Sequence, residues 1–239
     1  MINSFYLDGV DCRRYGIYPT QKNTYDGAKQ NVVLHRPFAR SSMIRHCLNT
    51  YEPVEIGYTF FSRPELRSKS QSIKDWLNNW DGEWRRLSDS YDPYHYRKVF
   101  DVSDIYFEDK NGYGQSEIIF TCEAFRYLKS AEPPIGFNAG TNILVNPTVH
   151  RAYPKVTILG DSSSRGKILR VNGVELETAT EYTNVTVDFE DLSIVNSNGV
   201  NMSDLTSVIG DIDNLFFPAG EFLVYSNFST LIERRWREI

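Results

Sequence analysis

"FTCEAFRYLKSAEPP", residues 120 to 134, decides how the rest of the chain divides. A strand-like run, Ile118-Ile119-Phe120-Thr121-Cys122, passes into Phe125, Arg126 and Tyr127 and stops at Pro133-Pro134. Two prolines in a row remove two backbone donors and hold their neighbours extended, so a regular element cannot continue through them. "IGFNAGT" follows with two more glycines. We read residues 130–140 as a linker and Phe125, Arg126 and Tyr127 as the last strand before it. Cys122, beside an arginine and two aromatics, then reads as a small core residue rather than a reactive thiol.

The charge balance changes at the same place. Residues 1–130 hold 18 Lys/Arg against 17 Asp/Glu, whereas residues 131–239 hold 8 against 14. Between Arg170 and Arg234 there are eleven acidic residues and no basic one, which speaks against a basic nucleic-acid groove in the second half. The acidic stretch is either a solvated face or a surface for a basic partner. With 239 residues, 15 Tyr and 14 Phe, the chain suits a mainly β protein of two domains, 1–132 and 133–239.

The three cysteines, Cys12, Cys47 and Cys122, are far apart and odd in number, which suggests neither a disulfide framework nor a zinc site. The start, "MINSFYLDGVDC", has no charged region followed by an apolar one, so no signal peptide is expected. No apolar run approaches the roughly 18 residues of a membrane span. In that setting the glycosylation patterns at Asn184, Asn201 and Asn227 read as chance.

Within the first half, Asp8-Gly9 between short alternating runs signals a type I′ hairpin. Residues 19–50 are polar and without clear period, and read as a long loop or extended arm. "PVEIGYTFF" alternates Val54, Ile56, Tyr58 and Phe60, which predicts a strand. A helix follows, with Ser62 as cap, Pro64 in the first turn, Leu66, Ile73, Trp76, Leu77 and Trp80 as its apolar stripe, and Asp81-Gly82 as its end. "WRRLSDSYDPYHYRKVFDVSDIYFE" reads as strand, Asp92-Pro93 turn and strand, and "EDKNGYGQ" as a further hairpin turn. In the second half, short strands separated by Gly, Asn and Ser, with Asn172-Gly173 as a two-residue turn, predict an antiparallel sandwich. "NMSDLTSVIGDIDNLFFPAG" reads as a loop with one short helical turn.

No motif gathers catalytic groups. "GDSSSRGKI" has five residues between Gly160 and Gly166 and Ile168 after Lys167, so it is no P-loop, and Gly160-Asp161-Ser162 lacks the strand–turn–helix setting of a nucleophile elbow. His35, His46, His95 and His150 form no metal-binding spacing. Asp211 and Asp213 alternate as in calcium loops but lack the glycine and distal glutamate. Asp188, Glu190 and Asp191 are the first candidates for a paired-carboxylate site, with nothing to raise them above surface acids. The expectation is therefore no catalytic, cofactor-binding or metal residues, and no enzyme. "ERRWREI" places Trp236 among arginines, either as an interface anchor or as a core residue with the arginines outside.

The order of these segments resembles the distal tail (Dit) proteins of long-tailed, non-contractile bacteriophages. The likeness rests on "FYLDGVDCRRYGI", the Trp76-Leu77 pair, the Asp-Pro segment, "FTCEAFRY", "NILVNPTVHRAYPKVTILG" with "VNG", "LFFPAG" and the closing "ERRWREI". Glu221 departs from the asparagine more usual after that glycine, and there is no large insertion. The resemblance implies a mainly β fold, with an N-terminal β-sandwich or belt domain bearing one helix and an arm, and a C-terminal galectin-like antiparallel β-sandwich. It implies a homohexameric ring in the virion tail tip, with a channel for DNA, joining tail tube, tape-measure protein and hub or adsorption proteins. Neither sequence-specific nucleic acid nor membrane insertion is implied. Exposed aromatics and the aperiodic arm make Arg36, Phe38, Trp76, Trp80, Trp84, Tyr94 and Tyr96 the expected intersubunit surface. The alternative function is a lectin-like module for cell-wall sugars, for which Tyr182, Asn184 and Trp236 are the candidate platform.

Overall fold

The computed structural model describes residues 3–24, 28–35, 44–62, 68–103, 114–160, 166–178 and 184–239. The chain divides into two compact units, residues 1–126 with Ile239, and residues 127–238.

The first unit is built on an antiparallel sheet. Its strands are β1 (Phe5–Leu7), β2 (Val10–Asp11), β3 (Pro19–Thr24), β6 (Val54–Ser62), β7 (Arg85–Asp89), β8 (His95–Val102) and β9 (Gly114–Cys122), in the order β2-β1-β7-β8-β9-β6-β3. Among the described residues, β4 (Gln30–His35) and β5 (Ile44–Tyr51) pair only with each other. The β1–β2 turn has Asp8 and Gly9 at φ 52° and 78°, the two positive values that a type I′ turn needs. The alternation in β6 buries Val54, Ile56, Tyr58 and Phe60. Helix α1 (Ser70–Asn78) adds Ile73, Trp76 and Leu77, an i, i+3, i+4 stripe, to the same core. There Phe5 packs on Tyr58 (4.8 Å between centroids), Phe120 (5.4 Å) and Trp76 (6.0 Å), and Tyr15 stacks on Trp76 at 4.4 Å.

β10 (Arg126–Leu128) carries the chain into the second unit, a sandwich of two five-stranded antiparallel sheets. The ten strands are β11 (Ile135–Phe137), β12 (Gly140–Asn146), β13 (Lys155–Leu159), β14 (Lys167–Val171), β15 (Val174–Thr178), β16 (Asn184–Asp188), β17 (Ser193–Asn196), β18 (Thr206–Ile209), β19 (Gly220–Ser226) and β20 (Thr230–Glu233), while β21 (Arg237–Glu238) pairs with β10. One sheet runs β11-β20-β13-β16-β17 and the other β12-β19-β14-β15-β18. Alternate residues of both, among them Val156, Ile158, Val187, Ile232, Leu169, Leu176 and Val224, form one core with Phe189, Phe217 and Trp236. Asn172 and Gly173, at φ 48° and 82°, make the β14–β15 turn.

Three local expectations change. The described residues of 19–50, read as loop or extended arm, are mostly strand: β3 joins the sheet through β6, and β4 pairs antiparallel with β5. The linker reading of 130–140 fails because Ile135–Phe137 pairs with β20, the prolines lying just before the strand. β18 arises inside the expected 201–220 loop, paired with β15 and flanked by two 3-10 turns. Ser62 is the last residue of β6 and α1 begins at Ser70, and the expected helix start at 63–67 lies outside the described residues. Leu66, Pro64 and most of "EDKNGYGQ" lie outside the described residues.

Candidate assembly surfaces

The Asp-Pro segment is fixed from beneath by a buried carboxylate. Asp89, at the end of β7, accepts from the backbone N–H groups of Tyr91 (2.9 Å) and Asp92 (2.8 Å) with Oδ1. Its Oδ2 accepts from Lys22 Nζ at 2.7 Å and from the Tyr58 hydroxyl. Asp92 in turn lies 2.7 Å from His95 Nδ1 and accepts from Arg126 Nη1 at 3.1 Å. Arg97 Nη1 donates to the carbonyls of Glu123 and Ala124. These groups surround a polar cavity of about 20 Å³, the space of a single water. Burial works against the Asp92 carboxylate, but the His95 hydrogen bond and the neighbouring cations outweigh it and hold it below its ordinary pKa. Burial, helped by Asp89, holds the Tyr58 phenol above its own. Each carboxylate faces a base and Asp89 is also tied to backbone, so the cluster is an anchor for the 89–95 turn. That turn carries Tyr91 (39% exposed) and Tyr94 (75%) outward.

A second aromatic row lies on β7 and β8. The Lys98 ammonium sits 4.9 Å from the Trp84 ring centre, and the Arg86 guanidinium 4.5 Å from that of Tyr96. Trp84 remains 40% exposed, and a register shift between Val99 and Asp101 turns Phe100 outward.

The β4–β5 hairpin is the feature with the least cover. It is rooted where the Tyr51 ring meets Phe125 and Glu52 N–H reaches the Lys29 carbonyl. Beyond the root, Val32, Val33 and Leu34 are 37%, 49% and 56% exposed, and consecutive strand residues point to opposite faces. Val32 and Leu34 lie opposite Cys47 and Arg45, both exposed. The ribbon therefore shows apolar surface on both sides.

Of the residues expected at an intersubunit surface, Trp84 and Tyr94 are exposed and Trp80 is half-buried. Trp76 and Tyr96 are each 7% exposed and packed inside their own chain, which leaves them nothing to offer a neighbour. Arg36 and Phe38 lie outside the described residues. Of the three sugar-platform candidates, Trp236 is 3% exposed in the sandwich core, Asn184 is on β16, and Tyr182 lies outside the described residues. The second unit does have an open groove of about 690 Å³, lined by Thr141, Arg170, Asn172, Pro218, Leu223 and Tyr225. Phe222 also lines it, and Arg170 lies 5.0 Å from the centre of the Tyr225 ring and pairs with Glu175, so one face of that ring is already covered. Asp188 and Glu190 both bind Arg235, which accounts for two of the three carboxylates singled out in the sequence. Among the described residues no three His, Cys, Asp or Glu gather as metal ligands.

Burial pushes the thiols of Cys12 and Cys122 up to about 12, whereas Cys47 is exposed on β5. In the native, unassembled chain at pH 8, one thiol should react with a disulfide dye within minutes, and all three after unfolding in guanidinium. Two fast thiols in the native state would contradict the burial of Cys12 and Cys122.

No protein-family model matches the sequence, and no curated protein matches it. Among solved structures, the chain is similar to the Dit (gp 19.1) protein of phage SPP1, described as a paradigm of the hub adsorption apparatus in phages infecting Gram-positive bacteria. The TM-score is 0.72 at 12% identity, over 97% of this chain and 98% of that one. It is also similar to a chain of the phage P2 baseplate in its activated conformation with Ca, with TM-score 0.57 and 10% identity over 97% of both chains. At these identities the likeness is one of fold, and the fold is Dit-like and mainly β.

Proposed function

We propose that this chain is a structural ring subunit of a phage tail tip. Six copies close head to tail around a channel for DNA, between the tail tube and tape-measure protein on one side and the hub or adsorption proteins on the other. The observation that carries the reading is the β4–β5 hairpin. A two-stranded ribbon is marginal in water by itself, and one with Val32, Val33 and Leu34 bare on two faces gains stability by lying against another surface. A neighbour in a heterologous ring supplies that surface to every copy alike. The exposed Trp84, Tyr91 and Tyr94 extend the contact area, and the Dit-like fold supports the setting.

Light-scattering mass with negative-stain imaging tests the ring. Six chains of 27.6 kDa give about 166 kDa per six-fold ring. Val33→Asp with Leu34→Asp should bring the mass down to that of isolated chains while leaving the far-UV circular dichroism of the folded chain unchanged, because both side chains are exposed in the single chain. Six-fold rings that survive both charges would remove the hairpin from the assembly. The lectin-like alternative has only the groove beside Tyr225 in its favour, and binding on a glycan array lost with Tyr225→Ala would favour it instead.

A further inference from the structure

The second unit has four sheet edges, and they are not alike. β11, β17 and β18 have three, four and four residues, and short edges resist pairing with other chains. β12 has seven, Gly140-Thr-Asn-Ile-Leu-Val-Asn146, with no lysine, proline or charge of any kind. Its one partner among the described residues is β19. Ile143 and Val145 face outward at 60% and 59% exposure, and Leu223, the register partner of Ile143, is 57% exposed. The amide groups of Asn142 and Asn146 are turned onto nearby carbonyls of Asn138, Gly140 and His150, so neither competes for the strand's free edge.

The strand is also complementary to itself. Ile143 is its midpoint. Laid antiparallel against a second β12 about that midpoint, Ile143 meets Ile143, and each Val145 meets a Thr141. The central row across the joined sheets then reads Leu223-Ile143-Ile143-Leu223, four aliphatic side chains. The flanking row reads Glu221-Val145-Thr141-Tyr225-Arg170-Glu175, in which no two like charges are adjacent. A basic peptide would find no acid on β12 itself, and the nearest, Glu221, is one strand away. A second copy satisfies the whole edge.

We propose that β12 pairs with β12 of another copy across a two-fold axis, making one ten-stranded sheet from two five-stranded ones. The pairing does not depend on the ring reading.

Cysteine cross-linking in a Cys47→Ser background tests the register. Across an antiparallel pair, opposed Cβ atoms lie about 4.5–5.5 Å apart, close enough for a disulfide with slight adjustment. Ile143→Cys treated with copper-phenanthroline should therefore form a dimer of twice 27.6 kDa on a non-reducing gel. Val145→Cys should cross-link at least roughly tenfold more slowly by itself, since its own copy is four residues away, about 13 Å. It should become fast when mixed with Thr141→Cys. Ile143→Lys, on an exposed side chain, should halve the mass of the largest species seen by light scattering. The Val33→Asp, Leu34→Asp variant should still cross-link through Ile143→Cys, which separates this edge from the ring contact. Equal rates for Ile143→Cys and Val145→Cys alone, or a mass indifferent to Ile143→Lys, would overturn the proposal and leave the edge to a different protein or to none.

Discussion

Asp89→Ala is expected to destabilise the first unit by about 3–5 kcal/mol, the cost of removing one partner from a buried ionic network. The side chain is 6% exposed and serves four donors at once. Three losses follow from its removal. The Tyr58 hydroxyl, in a residue with no exposed surface, is left without its acceptor, worth about 1–3 kcal/mol by itself. The N–H groups of Tyr91 and Asp92 lose the oxygen that shapes the Asp-Pro turn. Lys22, 20% exposed, loses its counter-charge, although part of that loss is recovered because its ammonium can reach water. Asp89→Asn separates these effects. Its amide oxygen still accepts from the turn, but the charge opposite Lys22 is gone, so about half the loss is expected. Tyr58→Phe, which removes the orphaned donor, should restore about 1 kcal/mol or more in the Asp89→Ala background. Denaturant melts of the four proteins give the values. A loss below about 1 kcal/mol for Asp89→Ala would mean that the turn is held by other contacts.

That network could not be read from the sequence, and the reason is distance along the chain. Lys22 and Tyr58 lie 67 and 31 residues from Asp89, and no spacing rule connects residues on three strands. What was legible was local chemistry. Asp8-Gly9 and Asn172-Gly173 announced their turns because two successive positive φ values restrict the residues that can stand there. Val54 to Phe60 announced β6 because one face of it is buried. The arm hid its strands for the converse reason. Strand alternation records a buried face opposite a wet one, and a ribbon exposed on both sides gives Val32, Val33 and Leu34 no reason to alternate. β18 was missed likewise: its four residues stay largely exposed, and β15 holds it through backbone pairing. Exposed strands of this kind leave the weakest signature, since their pairing is carried by backbone and not by a buried face.

The closing "ERRWREI" offered two readings, an interface anchor or a core residue, and they differ sharply in what Trp236→Ala should do. The ring is 3% exposed and lies 6.0 Å from Phe217 and 6.4 Å, edge to face, from Phe222. Its backbone carbonyl accepts from Leu128 N–H at 2.9 Å. The arginines on either side hold its segment in place from outside. Arg235, at the unusual φ of 49°, bonds both carboxylate oxygens of Asp188, and Arg237 donates to the Arg151 carbonyl beside the Tyr153 ring. An indole so placed fills the end of the core, and its truncation should cost the second unit about 3–5 kcal/mol. Trp236→Phe, which keeps a ring but leaves a smaller gap, should cost clearly less. The wild-type transition can be followed directly, because Trp76, Trp80 and Trp84 all belong to the first unit, and the part of the fluorescence change that Trp236→Phe abolishes reports residues 127–238 alone. Far-UV circular dichroism gives the stability of the variants. If Trp236→Ala unfolds within about 1 kcal/mol of wild type, the indole is not a core residue, and the reading of the motif as an exposed anchor returns.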